Sequence, residues 1–312
     1  MSLRVIRDWR GLPPADRGAS VAMGAFDGVH LGHRAVIKAA AAQARRLGAP
    51  LGVLSFEPHP RRFFTPDAPP FGLNSPAQRI RLLEAEGVEV LYLLPFDAEL
   101  ARMTAEAFVE EVLTRALAVR HVAVGFDFTY GQGRRGDAAQ LRAAGERLGF
   151  GVTIVEPVAE AAGVKLSSTA VRAALTAGEP RRAADILGRP FAVEGVVRRG
   201  RGLGRSLGFP TANLPLDGYV RPRAGVYAAH VRLPDGRGLS AVAYLGGAET
   251  VGPAEERLEA WIFDFDEDLY DQTIEVELIE FLRPDVRFDS VDEMTAQVQA
   301  DAERARELLA SA

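Results

Sequence analysis

At Gly188-Arg189-Pro190 the pattern of this chain changes, and that change limits its fold more than any other feature. A glycine ends helices and a proline cannot continue one, so the triplet marks a junction. Before it, strand-length apolar runs alternate with helical stretches. Residues 21–33 read as a strand, a tight turn and the first turn of a helix. Residues 50–56, 88–94, 119–124 and 152–155 read as strands, and 35–47, 75–86, 104–117, 137–148 and 169–187 as helices. That alternation predicts an α/β fold with a doubly wound parallel sheet. After the triplet, residues 191–197, 225–233, 239–245, 258–265 and 273–282 are strand-like with no helix between them, which predicts an antiparallel β-barrel. Ser290-Val-Asp-Glu293 then spells a capping box, and Val291, Met294, Val298, Ala302 and Ala305 form an apolar stripe that would lay a C-terminal helix over the barrel. The 312 residues exceed one ordinary domain, so two are expected, 1–185 and 186–312.

Composition removes several function classes. A net charge of -5 argues against a nucleic-acid backbone or a membrane surface as partner, while small anionic nucleotides, which need only local positive charge, stay open. The absence of cysteine excludes disulfides, thiolate metal sites and cysteine nucleophiles. No apolar run approaches the ~20 residues of a membrane span, and no secretory leader is visible, so a cytoplasmic protein is expected. Lys38 and Lys165 are the only lysines, and neither completes a Gly-x-x-x-x-Gly-Lys loop. Any ATP chemistry must work without one.

In a parallel sheet, ligands gather at the carboxyl ends of the strands, and the unusual residues of the first half cluster there. Gly24, Phe26, Asp27, Gly28, His30, Gly32 and His33 follow the first strand. Phe56-Glu57-Pro58-His59-Pro60 follows the second, a glycine-rich loop with Phe126, Asp127, Phe128 and Tyr130 the fourth, and Ser167-Ser168-Thr169 with Arg172 the fifth. A helix N-terminus flanked by imidazoles suits phosphate. Each feature also has a plainer reading: the histidines cap and pack, the hydroxyls cap a helix, the loop is a surface turn.

Taken together, the spelling Gly-x-Phe-Asp-x-x-His-x-Gly-His resembles the nucleotidylyltransferase signature. His30-Leu-Gly-His33, Phe56-Glu-Pro-His-Pro60, Gly125-Phe-Asp-Phe-x-Tyr-Gly131 and Ser167-Ser-Thr-x-x-Arg172 resemble, in that order, the FMN adenylyltransferase half of bacterial bifunctional riboflavin kinase/FAD synthetases. The resemblance implies that His30 and His33 meet ATP phosphates, with Gly24, Phe26 and Asp27 beside them, and that Ser167, Ser168, Thr169 and Arg172 hold the triphosphate. It also places His59, Asp127, Phe128 and Tyr130 towards FMN.

In the second half, Gly200, Gly204, Arg205, Gly208, Pro210, Thr211 and Asn213 belong to a run, Gly-Arg-x-Leu-Gly-Phe-Pro-Thr-Ala-Asn at its core, that resembles the riboflavin kinase signature. The resemblance implies that this run binds ATP, that Thr211 and Asn213 hold Mg²⁺, and that Glu259 is the base for the alcohol. Tyr244-Leu-Gly-Gly departs from the usual Asn-Ile-Gly, and Tyr270-Asp271-Gln272 from Tyr-Gly-Lys. Asp264-x-Asp266-x-Asp268 imitates a calcium loop, but Leu269 stands where that loop needs glycine, so an acidic hairpin turn is expected. The implied function is phosphorylation of riboflavin to FMN and adenylylation of FMN to FAD, with ATP and flavins as the small-molecule partners. Two alternatives stay open: a nucleotidylyltransferase for a pantetheine or polyol phosphate with an accessory barrel, and an FAD synthetase with a decayed flavin-binding kinase domain.

Overall fold

The computed structural model describes residues 3–157, 166–200, 204, 207–246 and 257–310. The chain divides into two compact units, Met1–Ala68 with Pro76–Leu166, and Pro69–Ser75 with Ser167–Ala312.

The first unit is a six-stranded parallel sheet. Its strands are β1 (Arg4–Ile6), β2 (Ser20–Met23), β3 (Leu51–Glu57), β4 (Val90–Pro95), β5 (His121–Gly125) and β8 (Gly151–Val155), in the order β1-β4-β3-β2-β5-β8. A small hairpin of β6 (Thr129–Tyr130) and β7 (Gly136–Asp137) follows β5. Successive residues of the strands go to opposite cores. Val21, Met23, Leu54, Tyr92, Leu94, Val122 and Val124 meet the helices of one face, whereas Ala22, Val53, Leu91, Leu93 and Ala123 meet the other. A sheet covered on both faces needs such uninterrupted apolar strands. Against the second face lie α1 (Leu31–Leu47), whose Val36, Ile37, Ala40 and Ala44 are buried, and α3 (Pro76–Ala85), whose Leu83 is buried. The first face takes α5 (Ala105–Ala107), its continuation in π-helical turns over Phe108–Ala116, and α6 (Ala138–Leu148). Strand order reverses at β2, where the chain builds outwards through β3 on one side and β5 on the other. The crevice beyond such a reversal is where doubly wound sheets bind ligands.

The second unit opens with α7 (Ser168–Ala177) and α8 (Pro180–Leu187). The single helix expected over 169–187 is broken because Gly178 caps α7 at φ +81° and Pro180 starts the next helix. The barrel follows: β9 (Phe191–Val196), β10 (Thr211–Pro215), β11 (Gly225–Arg232), β12 (Gly238–Gly246), β13 (Arg257–Ile262) and β14 (Thr273–Pro284), all antiparallel, in the order β10-β13-β12-β11-β14-β9. The two ends of that order meet at one bridge, where the Arg198 N–H donates to the Asn213 carbonyl at 2.9 Å. The final helix, α9 (Val291–Ala310), is capped by Ser290, whose hydroxyl accepts the Glu293 N–H. Ala302, Ala305 and Leu309 pack on Val226, Ala228, Val242 and Phe263, so the helix covers the barrel. Val291, expected in that stripe, is 53% exposed.

The short elements β1, α2 (Pro60–Phe64), α4 (Ala98–Arg102) and the β6–β7 hairpin were not expected. They are too short to show a period. More important is β10, an unexpected strand that carries Thr211, Ala212 and Asn213 of the kinase signature. The acidic segment after β13 is not a hairpin either. β13 pairs with β10 and β12, while β14 pairs with β11 and β9, so Asp264, Asp266 and Asp268 lie on a crossing connection.

Candidate active sites

At the end of β2 the backbone is forced into an unusual path. Phe26 has φ +52° and Val29 φ +42°, both buried, with Gly28 at φ +85° between them. A β-branched residue rarely tolerates that region, and such strain persists where the surroundings fix it, commonly at functional sites. The turn delivers His30 to the N-cap of α1, where its Nδ1 accepts the His33 N–H at 3.2 Å. The two imidazoles stack at 3.7 Å, and Phe26 leans on His33 at 5.1 Å. Gly32 is required for this packing, because a Cβ there would fall 3.0 Å from the His30 ring and 2.9 Å from the Leu166 carbonyl. Gly24 closes β2 by donating to the Leu54 carbonyl at 3.1 Å. The result is a helix N-terminus with two stacked imidazoles, suited to negative charge.

Asp27 is buried in the same turn. It and Glu57 act electrostatically on Arg79, which is itself buried; burial lowers the Arg79 pKa and the two carboxylates oppose that. Its guanidinium lies 3.8 Å from Glu57, and its Nε has no hydrogen-bond partner. Arg79 was missed in the sequence because it looked like an ordinary charged position of a surface helix.

His59 caps α2, accepting the Arg61 N–H at Nδ1. Beside it Phe56, Phe63, Phe64 and Phe96 form edge-to-face pairs, and Phe64 is 64% exposed. An aromatic cluster left open at the strand ends offers a flat ring a surface. Phe96 follows β4, so the strand-end rule could have found it. After β5, Asp127 is exposed, and Phe128 stacks on Tyr130 at 5.9 Å. Tyr130 is buried against Phe108, and burial pushes its phenol up to about 12.

In the second unit Ser167 is the N-cap of α7 and its hydroxyl accepts the Ala170 N–H. Ser168, Thr169 and Arg172 lie in the first turns of that helix. The Arg172 Nε donates to the Phe71 carbonyl at 2.7 Å, and its guanidinium lies over the Phe71 ring.

The barrel encloses a cavity of about 410 Å³. Thr211, Asn213, Tyr244, Glu259 and Trp261 share its wall, and Met294 and Val298 of α9 line it as well. Asn213 and Glu259 are direct partners across β10 and β13. The Thr211 hydroxyl donates to Glu259 Oε2 at 3.4 Å, and the Asn213 amide donates to the Thr211 carbonyl at 3.2 Å. Gly200 lies tight over Asn213, since a Cβ there would be 2.6 Å from its Oδ1. Gly204 accepts the Phe209 N–H at 2.8 Å, Gly208 turns at φ +91°, and Pro210 then leads into β10. Arg205 lies outside the described residues. Among those residues no group of three or more His, Asp or Glu could hold a metal. The donors at this wall are instead a hydroxyl, an amide oxygen and one carboxylate, a set that fits Mg²⁺, which takes few protein ligands and completes its shell with phosphate and water.

The family model described as FAD synthetase matches residues 12–170, and the one described as riboflavin kinase matches residues 187–309. The bifunctional riboflavin kinase/FMN adenylyltransferase of Escherichia coli strain K12 is 39% identical over 98% of this chain and 97% of its own. The protein of the same description from Bacillus subtilis strain 168 is 34% identical over 91% and 90%. A crystal structure titled as a macrolide-efflux protein from Streptococcus pneumoniae has a TM-score of 0.85 and 33% identity over 98% of this chain and 99% of that one.

Proposed function

Because the chain belongs to the bifunctional riboflavin kinase/FMN adenylyltransferases, it makes FMN from riboflavin and FAD from FMN, each with ATP, and we propose that two separate pockets divide the work. We assign FMN formation to residues 186–312 and FAD formation to residues 1–185. The observation that carries the kinase assignment is the Thr211, Asn213 and Glu259 cluster on one wall of the barrel cavity.

In that cavity Thr211 and Asn213 would hold Mg²⁺, which neutralises phosphate charge when bound. The backbone N–H groups around Gly200, Gly204 and Gly208 would cradle the triphosphate. Glu259 accepts the proton of the riboflavin 5′-hydroxyl as that oxygen attacks the γ-phosphorus and ADP leaves. In the first unit the FMN phosphate attacks the ATP α-phosphorus and pyrophosphate leaves, with no covalent enzyme intermediate. His30, His33 and the start of α1 stabilise the charge that develops. His59, the open Phe64 and Phe96 edges, Asp127 and Phe128 take the flavin side. On the second unit, Ser168, Thr169 and Arg172 carry phosphate-binding chemistry at the start of α7.

The transport role in the Streptococcus pneumoniae title is not adopted, since both family models and the curated relatives name flavin enzymes. Among the described residues no helix is long and apolar enough to cross a membrane. We assign the protein to the cytoplasm. Incubation with riboflavin, ATP and Mg²⁺, followed by separation of the flavins, tests the assignment. FMN should appear first and FAD after it; FAD formed only when FMN is supplied would reject the kinase cavity.

A further inference from the structure

One side chain of the barrel cavity has a place made for it by its own strand. Tyr244 on β12 pairs with Glu259 on β13 and with Val226 on β11. It stands half-buried at the cavity wall, in the apolar group that includes Trp261, Ile279 and Leu282. Its ring runs along β12 rather than across the barrel. A Cβ built on Gly246 would fall 2.1 Å from the phenolic oxygen and 2.4 Å from Cζ, so only glycine leaves that space open. Asp285, just beyond β14, lines the same cavity. Burial first, and then the charge and hydrogen bonding of Asp285, hold the Tyr244 phenol protonated well above its ordinary range. The phenol shares the cavity wall with that carboxylate, and its oxygen carries lone pairs that can accept a hydrogen bond from a ligand.

We propose that Tyr244 sets the acceptor specificity of the kinase half, its Oη accepting a hydrogen bond from an internal hydroxyl of the ribityl chain while Glu259 engages the terminal hydroxyl. The reach decides which part of the flavin is read. Gly246 lies two residues beyond Tyr244, one strand repeat of about 6.6–6.8 Å, so Oη is displaced along the wall by roughly that much from the Glu259 level. Such a span reaches along the polyol and stops short of the ring imide. The contact is the same in the ground and transition states, so it acts on KM and leaves kcat nearly alone. The inference rests on Glu259 as the base of the kinase reaction.

The test uses the full chain with riboflavin and with a 5-hydroxypentyl flavin, which keeps the terminal hydroxyl and lacks the internal ones. Tyr244→Phe is expected to raise the KM for riboflavin roughly five- to tenfold, the range of one neutral hydrogen bond. It should leave the KM for the hydroxypentyl flavin and for ATP where they were. Gly246→Ala, which keeps the phenol but displaces its oxygen, should raise the riboflavin KM in the same selective way, and it decides the matter alone if Tyr244→Phe does not fold. No change in the riboflavin KM, or an equal change for both flavins, overturns the proposal, the latter showing mere packing. Glu259→Gln is measured alongside: if its kcat holds, the base assignment fails, a result separate from the ratio of the two flavin KM values.

Discussion

The His30 imidazole stacks on that of His33 at 3.7 Å and also accepts the His33 backbone N–H. The two histidines are therefore not equivalent. His30→Ala removes a helix cap as well as a ring and should cost about 1 kcal/mol of stability. His33→Ala keeps the cap. Both should lower FAD formation from FMN by about 100-fold or more, but only His30→Ala should shift the thermal midpoint. Equal melting of the two variants would contradict the distinction.

Glu259→Gln should lower FMN formation by roughly 10²–10⁴-fold, the range for loss of a general base. FAD made from supplied FMN should be unaffected in the same preparation. His33→Ala should show the reverse. If either variant slows both steps alike, the pockets are not separate.

Another histidine, buried in the sheet, adds to the pH dependence of stability. His121 is 3% exposed, bonds Ser20 through Nδ1 and Thr153 through Nε2, and has its pKa lowered from 6.5 to about 4, by burial above all and then by the charge of Arg46. The folded state keeps it neutral while the unfolded chain takes a proton below 6.5. Its contribution is thus present at neutral pH and is lost as pH falls from 6.5 towards 4, by at most about 3 kcal/mol. Denaturant titrations at pH 7 and pH 4.5 should show this loss, and His121→Gln should flatten it.

Arg283 of β14 grips Asp301 of α9 with both Nε and Nη2, at 2.8 to 3.0 Å, and Gln297 donates to the same carboxylate. Asp301 is buried, so Arg283→Met strands a charge and should destabilise the barrel by about 3–5 kcal/mol. Adding Asp301→Leu should recover most of that. Calorimetry of the single and double variants checks the non-additivity.

The parallel sheet, the barrel and the covering helix were legible because burial on one or two faces imposes a period on the sequence. The stacked histidines were legible because glycine spacing betrays a turn. What stayed hidden depends on pairing across distance. β10 carries only five residues, with asparagine and proline among them, and its strand character comes from its partner β13. Arg79 reads as a solvated charge until Asp27 and Glu57 are placed around it. Tyr244 and Asp285 come to line one cavity only because β12 and β14 both border it. The single helix expected over 169–187 failed for a local reason that was visible, Gly178 followed by Pro180.

The bridge between Arg198 and Asn213 gives the barrel an unusual economy. The ring of strands is completed by the backbone of Asn213, the same residue whose side chain we propose as a ligand for the metal and nucleotide. If Asn213 does hold the substrate complex, filling the pocket should tighten the single bridge that closes the cylinder, and exchange of the Arg198 amide proton should slow when ATP and Mg²⁺ are added.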